Sequence, residues 1–244
     1  MSRALRAELL KLRTTRTFFA MVASAVALAV LIVVLVTSLS TEVTQDDVRE
    51  IFGNTDTAWL FVLLLGVIGM AGEWRHRTIA STVLAVPQRL RLMVAKLLAY
   101  ATAGVVLSLL VNLAVMTIGT LILSGRGEQT LGFADLVDIL WRNLVVAGYF
   151  GALGVCIGAL IRNPPVAIVV VLMWIFVIGF TLSGVAPGVW KYDPFGGVAS
   201  GILQASQEDD DELLPVGLAL LAAAGWVAAG VAAATATFTK RDLV

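Results

Sequence analysis

Residues 72–96 read GEWRHRTIASTVLAVPQRLRLMVAK and crowd Glu73, Arg75, His76, Arg77, Arg89, Arg91 and Lys96 into one short stretch. The residues before it, AWLFVLLLGVIGMA (58–71), carry no charge, and neither do those after it, LLAYATAGVVLSLLVNLAVMTIGTLIL (97–123). About 20 apolar residues in a helix cross the hydrocarbon layer of a bilayer. The pattern therefore predicts two membrane spans joined by a charged loop at one membrane face.

Four more apolar runs extend this reading, giving six spans at roughly 18–37, 57–72, 97–123, 143–161, 166–185 and 216–238. The second is short and is expected to extend into NTDT at 54–57. The first run is longer than a signal-peptide core and no small-residue cleavage motif follows it, so it is expected to remain as a span. The whole chain is 59% hydrophobic and 14% charged, against about half and about a quarter in soluble domains. This excludes a water-soluble fold and predicts an all-α membrane protein of six transmembrane helices, with residues 1–244 forming a single transmembrane domain.

Net charge is zero, but the charges are not spread evenly. Assigning segments alternately to the two faces puts 1–17, 73–96, 162–165 and 239–244 together. Only Arg49, Arg126, Arg142 and Lys191 of the 17 Lys and Arg fall on the other face. Of the 17 acidic residues, only Glu8, Glu73 and Asp242 fall with the basic segments. Excess Lys and Arg marks the cytoplasmic side. Both termini are thus expected in the cytoplasm, as an even number of spans requires.

The connecting segments carry their own patterns. Leu5, Leu9 and Leu12 share one helical face, while Arg3, Arg6, Lys11 and Arg13 lie largely elsewhere. This predicts a basic amphipathic interfacial helix within 1–17, in contact with membrane lipids. In the 73–96 loop, Thr78 can cap a short helix with Ile79, Val83 and Val86 on its apolar face. Pro87 stops that helix and can open the next, which runs through Lys96 into the third span. NPP at 163–165 forces a turn between the fourth and fifth spans. Phe133, Leu136, Val137 and Leu140 predict a short interfacial helix before the fourth span. Residues 186–215 begin APGVWKYDPFGGVASGIL, too apolar for a free loop, and then turn acidic. Backbone off a regular helix is tolerated at membrane depth only inside protein or beside water. A re-entrant pair of short helices on the outer side is expected there, with Pro194, Gly196 and Gly197 near the turn. Gly148, Gly151, Gly154 and Gly158 in the fourth span, and Gly225 and Gly230 in the sixth, suit close helix packing.

The chemistry absent from the sequence is as informative. The six runs hold no Asp, Glu, Lys, Arg or His near their middles, which argues against transport driven by protons or sodium. Asn112 is the most polar side chain deep in a run and is available to a neighbouring helix or to a solute. No HExxH or GxSxG motif is present, and His76 is the single histidine, so neither a protease nor a metal site is expected. No Walker A motif occurs. Any ATP and magnesium would belong to a partner subunit, and the chain itself is not expected to be an enzyme.

The basic N-terminus ELLKLRTTRTFF, the first span, and a second span ending in GEWRHRTI followed by TVLAVPQRLRLMVAK resemble the ABC type-2 permease family, the membrane subunits of ATP-binding-cassette exporters. Glu73, Thr78, Pro87, Ala95 and Lys96 match the family pattern, and Arg77 stands where glycine is usual. The resemblance covers the whole chain. It implies that 73–96 is a cytoplasmic coupling loop docking on a separate ABC ATPase through Glu73, Arg75, Arg77, Thr78, Ile79 and Val83. It implies a second copy or a paralogous permease, and a path lined by Phe61, Leu65, Asn112, Trp174, Phe176 and Phe180. It places an extracellular gate at Trp190, Tyr192, Pro194 and Phe195, in a bacterial cytoplasmic membrane. The apolar path suits an amphipathic or lipid-like cargo such as an antibiotic, a peptide or a lipid; no nucleic-acid partner is expected. The alternative is a membrane-embedded structural, sensory or immunity protein without net transport.

Overall fold

A computed structural model describes residues 2–40, 44–76, 78, 89–204 and 213–240. The expected helix at 79–86 and the acidic run at 208–212 lie outside the described residues. Among the described residues all regular structure is helical. Six helical stretches are long and apolar enough to cross a membrane, at Arg16–Leu39, Gln45–Arg75, Leu90–Gly125, Phe133–Ile161, Pro164–Val185 and Val216–Ala236. This is the architecture of a multi-pass membrane protein.

The N-terminal helix α1 (Ser2–Thr14) ends at an extended Thr15, and α2 (Arg16–Leu39) follows as the first span. The leucine face of α1 does not merely meet lipid. Leu12 is buried, and Leu5 and Leu9 pack with Met93, Leu97 and Tyr100 of the third span. The second span is broken in two. The first half is α3 (Gln45–Asn54), opened by a reciprocal capping box between Thr44 and Asp47. After three non-helical residues, α4 (Ala58–Arg75) completes it. The break thus falls inside the NTDT segment, at 55–57, with helix on both sides of it.

The third span, α5 (Arg89–Gly125), is one uninterrupted helix that includes Arg89, Arg91 and Lys96. The fourth, α6 (Phe133–Ile161), begins ten residues before its apolar run. The separate interfacial helix expected at 133–140 is instead the first part of α6. No Gly or Pro separates the two, and the charges that limited the apolar run are neutralised locally. Arg142 bonds Asp138 one turn away at 3.1 Å, and Arg49 on α3 bonds Asp135 and Asp138 at 2.8 and 2.6 Å.

At the NPP turn, Arg162 takes a left-handed conformation with φ 58°. Pro164 and Pro165 then occupy the first positions of α7 (Pro164–Met173), where a missing N–H costs nothing. The fifth span continues through a π-helical turn, Trp174–Gly179, into α8 (Phe180–Val185). Two short helices, α9 (Pro187–Trp190) and α10 (Gly197–Leu203), precede the last span α11 (Val216–Lys240).

The core is built round α6, whose span is 72% buried, against 17%, 17% and 11% for the first, fifth and sixth spans. Its glycines set the approach of its neighbours. A Cβ at Gly154 would collide with the Leu63 carbonyl of α4, and one at Gly151 with the Tyr100 carbonyl of α5. Gly104 of α5 meets the Ala147 carbonyl in the same way. Between apolar helices in lipid the attraction is van der Waals contact and hydrogen bonding, which close approach maximises. Gly225, by contrast, faces open space.

Candidate functional site

Among the described residues, three polar constellations interrupt this apolar bundle, and the segments flanking the spans supply most of their charge. The first sits at the base of the 73–96 loop. Lys96, 1% exposed, donates to Glu8 of α1 at 2.9 Å and to Glu73 of α4 at 2.7 Å. Lys11 donates to the same two carboxylates at 3.1 and 3.0 Å. Four charges thus join α1, the end of α4 and the start of α5. Glu73 Oε2 is buried and has no hydrogen-bond partner among the described residues. Burial, the largest single influence on Lys11, works against its charged form. The hydrogen bond and charge of Glu73, with those of Glu8, together outweigh it and leave the pKa raised above 10.5.

Of the other expected coupling residues in this loop, Arg75 and Thr78 are described, and both are exposed. Thr78 is exposed, and its N–H donates to the Glu73 carbonyl at 3.0 Å. Arg75 is exposed beside Arg162 and Asn163, around a recess of about 410 Å³. The Arg162 guanidinium lies 4.0 Å over the Trp74 ring. Arg77, Ile79 and Val83 lie outside the described residues.

The second constellation lies at the break in the second span. Asp56 is 6% exposed and caps α4 by accepting the Ala58 N–H at 2.8 Å. Its other oxygen accepts from Ser108 Oγ at 2.5 Å and from Asn112 Nδ2 at 3.0 Å. Asn143 Nδ2 donates to Asn112 Oδ1 at 2.8 Å. Ser108 and Asn112 lie midway along the apolar run of the third span, so a carboxyl group stands level with the middle of the bundle. Asn143 also forms part of the wall of a cavity of about 360 Å³, with Asn54, Arg49, Glu50, Asp138 and Arg142. Asp56 escapes notice in the sequence because it sits one residue outside the second apolar run. The structure thus brings one carboxyl group, from outside the apolar runs, against span middles that carry none of their own. The legible signal was the short second run together with Asn112, a polar side chain that needed a partner.

The third constellation is the α9–α10 hairpin. Asp193 is 4% exposed. It accepts from Trp174 Nε1 at 2.6 Å and from the N–H groups of Phe195 and Gly196 at 3.0 and 2.7 Å. Tyr149 Oη donates to the Pro194 carbonyl at 2.9 Å, and Trp226 Nε1 to the Tyr192 carbonyl at 2.9 Å. Phe195 packs against Trp174 with ring centroids 6.1 Å apart. Trp190 and Pro194 are buried, and Tyr192 is exposed. The hairpin is thus held to the fourth, fifth and sixth spans at once.

The six residues expected along a path do not meet at one surface. Leu65 and Asn112 are buried in the packed interior, and Phe61 is partly buried against the main core. Phe176 and Phe180 are 64% and 79% exposed on the fifth span. They share a recess with Trp190 and Phe195, and Trp174 is tied to that recess through Asp193. No family model matches the chain, and no curated protein sequence matches it.

Proposed function

We propose that this chain is the permease subunit of an ATP-driven exporter in a bacterial cytoplasmic membrane, with both termini in the cytoplasm. Two copies, or this chain and a paralogous permease, form the path for an amphipathic or lipid-like cargo. A separate ABC ATPase supplies ATP binding and hydrolysis, with its magnesium. The reading is supported chiefly by the cluster of Glu8, Lys11, Glu73 and Lys96. Force applied to the loop between α4 and α5 enters three helices through this one buried joint. A loop whose two ends meet in such a joint suits a mechanical input from a cytoplasmic partner, with Ile79 and Val83 as the contact and Glu73, Arg75, Arg77 and Thr78 around it. At the opposite end, the α9–α10 hairpin is read as a re-entrant cap, and Trp190, Tyr192, Pro194 and Phe195 as the outer gate.

A second reading is favoured by Asp56. An ionisable side chain at a helix break in mid-bundle is a usual element of ion-coupled proteins. The two readings separate on one experiment. A photo-crosslinking amino acid at position 79 or 83, used in native membranes, is expected to yield an adduct with a polypeptide carrying a Walker A motif. Adducts with lipid alone, in membranes whose transport stops when ion gradients are collapsed at constant ATP, would favour the second reading. A structural, sensory or immunity role would give neither transport signal.

A further inference from the structure

The fifth span changes from α to π geometry at Trp174–Gly179. Such turns add a residue to the helix and occur frequently at functional sites. Here the turn borders a cavity of about 300 Å³, walled by Phe176 and Phe180 of the span and by Trp190 and Phe195 of the hairpin. Asp193 lines the same cavity. Both of its oxygens accept from N–H donors, which fix the carboxylate in place.

No Lys or Arg among the described residues forms an ion pair with Asp193. Lys191, two residues away, lies instead 5.8 Å from the centre of the Tyr192 ring. Buried charges in proteins are usually paired or coordinate a metal. A carboxylate without its own cation, beside four aromatic rings, offers the two features that recognise an organic cation: an opposite charge and π faces. Apart from Asp193 and Ser183 the lining is apolar or aromatic, which suits an organic cation better than a strongly hydrated ion such as sodium. Among the described residues, no group of three or more His, Cys, Asp or Glu side chains is placed to hold a metal ion.

We infer that this cavity is a binding site for a lipophilic organic cation, held by Asp193 and by the ring faces of Phe176, Phe180, Trp190 and Phe195. That such a cation is cargo rests on the permease reading; the binding itself does not.

The test uses the full-length protein in nanodiscs of neutral phospholipid, with tetraphenylphosphonium as probe. Tetraphenylborate has the same shape and the opposite charge, and so reports apolar partitioning alone. Saturable binding of the phosphonium and only linear partitioning of the borate are expected. Asp193→Asn should weaken phosphonium binding at least tenfold. Because that change also touches the hairpin's anchor, Phe180→Leu provides an independent arm. Phe180 is largely exposed, and leucine keeps the apolar wall while removing the ring. A several-fold loss is expected, recovered by Phe180→Tyr. Equal saturable binding of both ions, no saturable binding of either, or phosphonium binding unchanged by both Asp193→Asn and Phe180→Leu would overturn the inference. Phosphonium binding without ATP-dependent movement of the phosphonium would leave the site standing and remove the cation as cargo. ATP-driven export with no phosphonium binding would remove the site and leave the permease reading standing.

Discussion

Replacing Lys96 by methionine tests whether the loop base is an ion cluster that holds the helices together. Lys96 is 1% exposed and lies within 2.9 Å of Glu8 and 2.7 Å of Glu73, whose side chains are 5% and 11% exposed. Methionine keeps most of the side-chain volume but strands two carboxylates inside the protein. Removing one partner of a buried pair costs about 3–5 kcal/mol. Lys11 still bridges both acids, but its side chain is 52% exposed, and a pair so open to water contributes at most about 1 kcal/mol. Lys96→Met should therefore lose about 3–5 kcal/mol and Lys11→Met no more than about 1 kcal/mol. Adding Glu8→Gln and Glu73→Gln to Lys96→Met removes the stranded charges and should restore most of the loss. The assay is equilibrium unfolding in mixed micelles at rising SDS fraction, followed by helical circular dichroism. A Lys96→Met loss below about 1 kcal/mol, or a triple variant no more stable than the single one, would refute this reasoning.

Other regions give simpler tests. Gly154→Ala pushes a methyl group into the Leu63 carbonyl and should cost about 1–3 kcal/mol by overpacking in the same assay, while Gly225→Ala, which meets nothing within 4 Å, should be near neutral. Lys11 has its pKa raised on folding, so its contribution is fully present below 10.5, the ordinary value, and is lost as pH rises through the folded value. Wild type and Lys11→Met should differ in stability at about pH 8 and converge in strongly alkaline solution, and a gap that widens there would show the sign to be wrong. Orientation is checked by impermeant thiol labelling of intact cells: Asp46→Cys should react from outside and Arg89→Cys should not, and labelling at 89 would reject the assigned sides.

Much of the scaffold was legible because apolar runs long enough to cross a bilayer have few alternatives. Gly154 and Gly158 likewise read correctly as packing positions, since in lipid small residues have few other uses. The sequence was less clear where two segments share a group. Asp56 falls in the short polar interval NTDT and has the surroundings of a loop residue; only the side-by-side packing of α4 and α5 brings it to Ser108 and Asn112. Asp193 likewise stands among residues that read as loop, because its distant partner Trp174 reaches it only when the hairpin folds back on the fifth span. Residues 133–140 separate from the fourth span in the sequence because their charges shorten the apolar run, although Arg49 and Arg142 neutralise them in the folded chain. The role of Glu73 was visible as one end of a charged loop, but the contribution of Glu8 from α1 required the tertiary fold.

The central claim is that the 73–96 loop couples this chain to an ATPase, and Ile79→Asp tests it most directly. The substitution puts a charge on the face assigned to the partner and leaves Glu8, Glu73 and Lys96 unchanged. Wild type and variant are purified from the same host membranes and matched for the amount of inserted chain, and ATP hydrolysis by each preparation is measured after reconstitution in lipid. The account predicts normal insertion and loss of the permease-stimulated hydrolysis. An Ile79→Asp variant that retains its ATPase and hydrolyses ATP at the wild-type rate would contradict it.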